Sequence, residues 1–204
     1  MRNRRAIRGN SNGTRRDVVI QRVEISEKMQ PPLADRCAAI ELLVLDVDGV
    51  LSNGGIWVED NGVETKEFHV RDGAGIAYWQ RLGKRAAIIS GRRCRAVEHR
   101  AVELGIQRVY QGRLDKLPAL EELLALEGLR LEQTCVVGDD LADVPPLKAA
   151  GLAVAVADAV PEVRAAAHYV TQLAGGRGAV REVIEWILKN QGRWNEVVKR
   201  YEGR

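Results

Sequence analysis

Long apolar runs, cysteine and histidine are all scarce in this chain of 204 residues, and each shortage closes off a class of protein. No uninterrupted apolar stretch approaches the ~18 residues that a bilayer crossing needs; the longest candidates, 42–51 and 149–160, contain Asp or fall short. A soluble protein without a membrane partner is expected. The three cysteines, Cys37, Cys94 and Cys135, lie far apart and are odd in number, which excludes a disulfide framework and points to a reducing cytoplasm. The histidines His69, His99 and His168 share no ligand spacing, which argues against a zinc site. No G-x-x-x-x-G-K-[ST] motif occurs, so P-loop nucleotide hydrolysis is not supported.

What is present is a globular composition, 46% hydrophobic and 29% charged, in a length that suits one domain with tails. The net charge of +3 is unevenly spread. Residues 1–28 hold eight basic side chains against three acidic ones, which leaves the remaining chain at −2. A mildly acidic body with a basic arm argues against a duplex-binding domain, so no nucleic-acid partner is expected. Residues 1–36 read as a basic, disordered extension with no apolar segment of a secretory signal, and Met29 offers an alternative start. The folded domain is expected over 37–192, with 193–204 as a C-terminal tail.

From Ile40 onward, short β-rich apolar runs alternate with helical patterns, which calls for a parallel sheet flanked by helices and joined by right-handed crossovers. Strands are expected at 42–46, 85–89, 108–110, 134–137, 152–156 and 169–171, and helices at 73–82, 94–104, 116–126, 144–150, 161–167 and 178–190. Gly105 is placed to stop the second of these helices. Asn61-Gly62, between runs at 56–58 and 65–70, predicts a tight two-residue hairpin turn and hence a small inserted β-flap at about 55–70. In an open α/β sheet the ligand site lies outside the carboxyl ends of the strands.

Those strand ends carry the most unusual polar groups. Asp46 and Asp48 follow the first strand, Ser90 the second, and Asp139 and Asp140 the fourth, while Lys116 opens the helix after the third. Four carboxylates in one crevice repel one another unless a cation sits among them, and Mg²⁺, a hard ion with oxygen ligands, fits. Asp46 has the position of a nucleophile, and Asp48 can address the same centre from another angle. Lys116 and Ser90 supply the charge and the donor that a transferring phosphoryl group requires. Each piece alone has a plain structural reading: a polar turn for Asp46–Asp48, loop chemistry for Ser90, a solvated first-turn residue for Lys116, an N-cap for Asp139-Asp140. Their joint placement at successive strand ends favours phosphoryl transfer to a carboxylate.

Asp46-Val47-Asp48-Gly49-Val50, Ser90, Lys116 and Gly138-Asp139-Asp140 resemble, in order, the four signature motifs of the haloacid dehalogenase superfamily. More narrowly, the blocks at 70–76, 88–92, 110–117, 138–143, 154–159 and 174–183 are similar to the 3-deoxy-D-manno-octulosonate 8-phosphate phosphatase family, over about 42–192. The resemblance implies a Rossmann-like α/β fold with no large cap domain, in which Asp46 becomes an aspartyl-phosphate and Asp48 is the acid and then the base. Mg²⁺ would be held by Asp46, the Asp48 carbonyl and Asp139, with Asp140 or Asp143 in support, unless Asp143 instead orients Lys116. Ser90, Gly91 and Lys116 would hold the phosphate, and Arg71 and Arg177 would meet the anionic sugar phosphate, although Arg71 pairing with Asp72 or Glu67 is the plain alternative. A homotetramer is also implied, with a glycine-rich segment around 175–178 closing a neighbour's site. Ser52-Asn53-Gly54 departs from the family's Thr-Asp-Gly, and Val144-Pro145-Pro146 also departs from the pattern. Loss of a catalytic group would have favoured a non-catalytic module; none is lost. A phospho-accepting signalling domain is opposed by Asp48 and the inserted hairpin, and a nonulosonate 9-phosphate is the alternative substrate.

Overall fold

The computed structural model of the chain describes residues 32–203, so the reading of 1–31, Met29 included, lies outside the described residues. The strands run β1 (Leu42–Leu45), β2 (Trp57–Val58), β3 (Glu64–Thr65), β4 (Arg85–Ser90), β5 (Arg108–Gln111), β6 (Thr134–Gly138), β7 (Leu152–Ala155) and β8 (Tyr169–Val170). The α-helices are α1 (Leu33–Ala39), α2 (Val70–Arg81), α3 (Arg95–Leu104), α4 (Lys116–Glu127), α5 (Val144–Ala149), α6 (Pro161–Ala166), α7 (Ala179–Asn190) and α8 (Trp194–Glu202).

Six strands form one parallel sheet in the order β5-β4-β1-β6-β7-β8, and β2 and β3 pair antiparallel as a separate flap. The central strands β1, β6 and β7 are buried at every position, as expected where helices cover both faces and alternation has no use. From β1 the chain winds outward to β4 and β5, then crosses back to β6 and winds the other way. Constant crossover handedness therefore sends α2 and α3 to one face and α5 and α6 to the other. Helices α1, α2 and α3 join α7 in one layer, and α4, α5 and α6 form the second. The reversal beside β1 is the switch point where a crevice must open. Leu45 stands level with Ile88 and Val137, so Asp46, Ser90 and Asp139 emerge at nearly the same height.

Gly105 ends α3 in the left-handed conformation, as its position predicted. The flap turn differs from expectation: Glu59 and Val63 pair through a 2.9 Å bond, which leaves a three-residue loop, Asp60-Asn61-Gly62, closed by Gly62 N–H on the Glu59 carbonyl. Only Gly62 is needed at positive φ in such a loop. Both expected tails hold helix. Helix α1 begins inside the expected extension and is tied down by Gln191 Nε2, which donates to the Cys37 and Ile40 carbonyls. Helix α8 lies in the expected C-terminal tail. Trp194 and Tyr201 stand edge-on to Tyr78, and the Arg181 guanidinium lies over Tyr78 and Trp194, so long-range aromatic and cation–π contacts hold a segment too short to be stable alone.

Candidate active site

The chain leaves β1 through a wide turn over Val47–Leu51, closed by Ser52 N–H on the Val47 carbonyl at 2.9 Å. Gly49 holds φ 93° there, and a Cβ on it would lie 2.0 Å from Asp139 Oδ2. Glycine is required twice, for the backbone angle and for the approach of a carboxylate. The loop is braced from behind. Gly176 N–H donates to the Val50 carbonyl at 2.9 Å, a Cβ on Gly175 would overlap the Gly49 carbonyl, and Asp158 accepts from Gly175 N–H at 2.9 Å. The glycine-rich segment thus supports the loop after β1 of its own chain.

Lys116 is buried and bridges Asp46 Oδ1 at 2.8 Å and Asp143 Oδ1 at 2.7 Å. The other Asp143 oxygen accepts from the backbone N–H groups of Asp139 (3.0 Å) and Asp140 (3.3 Å), so both oxygens of this carboxylate have protein donors. Carboxylate oxygens of Asp46, Asp139 and Asp143 lie within 4.8 Å of one another, and Asp139 Oδ1 is buried without a hydrogen-bond partner. Burial, followed by the charge of Asp143, pushes Asp46 up to about 6 against the pull of Lys116. Burial and the charges of Asp46 and Asp143 push Asp139 up to about 8. Burial alone would lower the Lys116 ammonium, but the two carboxylates more than reverse it and its pKa is raised. One ammonium among three carboxylates leaves the cluster short of positive charge, and an orphaned oxygen among hard donors suits Mg²⁺.

Ser90 is buried at the end of β4 and its Oγ accepts from Arg92 N–H at 3.3 Å, with Gly91 half-buried beside it. The structure does not bring every expected residue to the crevice. The exposed Asp140 turns back to accept from Leu141 N–H at 2.7 Å and stands outside the carboxylate cluster. Arg71 is exposed and lines a groove beside α7 with Tyr169, Arg181 and Lys189. Arg177 makes the pairing considered for Arg71, a 2.9 Å bridge to Glu67. Asp72 is buried, accepting from Gly178 N–H (3.2 Å) and Arg181 N–H (2.8 Å).

Two residues escaped the sequence reading. Lys66, at the foot of the flap, donates to Asp48 Oδ1, and Glu64 holds both Lys66 (2.7 Å) and Arg92 (2.9 Å). Alternation over Glu64-Thr65-Lys66 puts the two charges on one face and was the available signal.

A profile of the haloacid dehalogenase-like hydrolases matches residues 105–184. The 3-deoxy-D-manno-octulosonate 8-phosphate phosphatase KdsC of Yersinia pestis is 51% identical over 164 residues, which is 78% of this chain and 88% of that protein. Its Salmonella typhimurium counterpart is 47% identical over 168 residues, 82% of this chain and 89% of that one. The chain belongs to the 3-deoxy-D-manno-octulosonate 8-phosphate phosphatase family. Among solved structures, the Moraxella catarrhalis phosphatase of that name, in complex with a magnesium ion, a phosphate ion and KDO, superposes with a TM-score of 0.81 at 40% identity over 83% of this chain and 97% of that one. Family membership accounts for the Rossmann-like sheet without a large cap.

Proposed function

We propose that this protein is an Mg²⁺-dependent phosphatase that hydrolyses 3-deoxy-D-manno-octulosonate 8-phosphate to the free sugar acid and phosphate, a step of lipopolysaccharide biosynthesis. The observation that carries the reading is the Asp46–Lys116–Asp143 bridge beside the unpartnered Asp139 oxygen. It joins a carboxylate nucleophile to a phosphate-binding ammonium in a site that lacks one cation's worth of charge.

In the first step an Asp46 oxygen attacks phosphorus in line, the bond from phosphorus to the sugar oxygen breaks, and Asp48 gives its proton to that oxygen. In the second, Asp48, now a carboxylate, takes a proton from a water that attacks the phosphoryl group, and the bond from phosphorus to Asp46 breaks. Ser90 Oγ, Gly91 N–H and Lys116 hold the non-bridging oxygens. Asp46, Asp139 and the Asp48 carbonyl would hold Mg²⁺, which supplies positive charge against the phosphoryl oxygens. Asp143 is assigned to orienting Lys116 and the Asp139 backbone, since both its oxygens are already taken. We place the enzyme in the cytoplasm, which the three free buried cysteines fit, and propose a homotetramer, which the solvent-facing Ile56, Trp57, Val58 and Val63 of the flap support.

The test is phosphate release with and without Mg²⁺ from the octulosonate 8-phosphate, a nonulosonate 9-phosphate and an aryl phosphate, with D46N as blank. An Mg²⁺-dependent preference for the octulosonate is expected. Preference for the nine-carbon acid replaces the substrate and keeps the mechanism, whereas no release from any of the three overturns the phosphatase reading.

A further inference from the structure

Lys66 carries its charge on a side chain with no solvent exposure, at the foot of a flap whose outer residues Trp57, Val58 and Val63 stand in water. A buried ammonium is costly unless it is paired. Here it donates to Asp48 Oδ1 and lies 2.7 Å from Glu64 Oε1. Glu64 Oε2 in turn takes the Arg92 guanidinium at 2.9 Å, and Arg92 Nε stands 3.9 Å from Asp48 Oδ2. Two cations balance two anions once Asp48 has given up its proton. They come from three separate stretches: the turn after β1, the flap, and the turn after β4.

Asp48 differs from the other acids of the crevice. Asp46 is fixed by Lys116, and Asp143 by Lys116 and two backbone N–H groups. The Asp48 carboxylate is met by Lys66 at close range and by Arg92 only at 3.9 Å, so Lys66 sets where it points.

We propose that Lys66 is a positioning residue for the acid–base carboxylate: by pinning Asp48 Oδ1 it aims Asp48 at the leaving oxygen and then at the hydrolytic water, and it makes that aim depend on the flap being seated. The inference rests on the phosphatase reading above. Misplacing Asp48 impairs two steps unequally. A sugar alkoxide leaves only with a proton, so its phosphate ester stalls before the bond breaks. A nitrophenolate leaves without one, so the phosphoryl group reaches Asp46 and then waits there for an activated water. A variant that loosens Asp48 should therefore accumulate phospho-Asp46 from an aryl phosphate, which a general loss of folding does not produce.

The experiment compares wild type and K66M, full-length with Mg²⁺, on octulosonate 8-phosphate and 4-nitrophenyl phosphate, with rapid-mixing measurement of nitrophenolate and thermal unfolding as a fold check. For K66M on the sugar phosphate, kcat is expected to fall on the order of 10²-fold with KM within about threefold. On the aryl ester the loss is smaller, and about one equivalent of nitrophenolate per enzyme appears in a burst that the wild type lacks. Unchanged kcat, or an equal loss on both esters without a burst, overturns the proposal. Should K66M fail to fold, E64Q keeps the Asp48 pair and loosens the flap from Arg92; the same pattern at lower amplitude supports the coupling, and wild-type behaviour overturns it. A wild type inert on the sugar phosphate but active on the aryl ester overturns the substrate reading alone, with Lys66 still judged by the burst.

Discussion

Asp139 and Asp72 are both acids set against the start of a helical segment, and their surroundings treat them oppositely. Asp72 reaches from α2 to α7 and accepts from Gly178 N–H with one oxygen and Arg181 N–H with the other, capping a neighbouring helix whose own N-cap, Gly178, has no side chain to do so. Burial raises its pKa, and those two N–H groups and the charges of His69 and Arg100 oppose the rise. Asp139 keeps an oxygen buried and unpartnered among carboxylates. A buried acid whose donors are complete is part of the framework. One left incomplete beside like charges is held against its own stability, and that arrangement persists where a ligand completes it.

The sharpest way to break this contrast is at the proposed nucleophile beside Asp139. D46N should lower phosphate release on the order of 10⁴-fold or more while thermal unfolding without Mg²⁺ stays at or above wild type, because folding no longer confines a crowded carboxylate. Retained turnover would remove Asp46 from its role. D139N comes next, with a loss on the order of 10²–10³-fold and a thermal midpoint in EDTA no lower than wild type. A lowered midpoint would make Asp139 a framework acid like Asp72.

D72A should do the reverse. It strands two N–H groups and uncaps α7, costing about 1–3 kcal/mol in urea unfolding, while kcat per folded molecule stays within about threefold. A large kcat loss at unchanged stability would put Asp72 in the active site.

The smallest effect is in the pH dependence of the chelated protein. The folded-state pKa values of Asp46 and Asp139 lie near 6 and 8, above those of an unfolded aspartate, so the folded chain binds the extra protons. Stability from these groups therefore falls as pH rises from about 4 to about 8 and is level beyond. Burial of His168 lowers its pKa, which costs stability as pH drops below its unfolded value near 6.5, so the window from 6.5 to 8 isolates the crevice. Urea midpoints in EDTA should fall across that window in wild type and much less in D139N; equal slopes would place the strain elsewhere.

Much of this was legible without coordinates. Fully apolar runs fit only strands covered on both faces, and the parallel sheet places whatever follows β1, β4 and β6 at one crevice. Asp46, Ser90 and Asp139 could be found from strand ends alone, and Lys116 from its place at the start of α4. Other assignments needed the fold because they depend on partners far along the chain. Asp140 and Asp143 are equally acidic in sequence, and only the turn after β6 directs one to solvent and the other to Lys116. Arg71 and Arg177 are equally basic, yet one lines a groove beside α7 and the other pairs with Glu67. Helix α8 is held by edge-on contacts with Tyr78, which no local pattern encodes.

Sequence by itself determined the sheet, its switch point and the polar groups at its strand ends, because periodicity and the direction of parallel strands are local or repeated properties. Tertiary structure decided which carboxylate has donors on both oxygens and which keeps an unpartnered one, and that Lys66 meets Asp48. Beyond the local N–H groups of Asp139 and Asp140, these carboxylates are met by donors brought from 18 to more than 100 residues away.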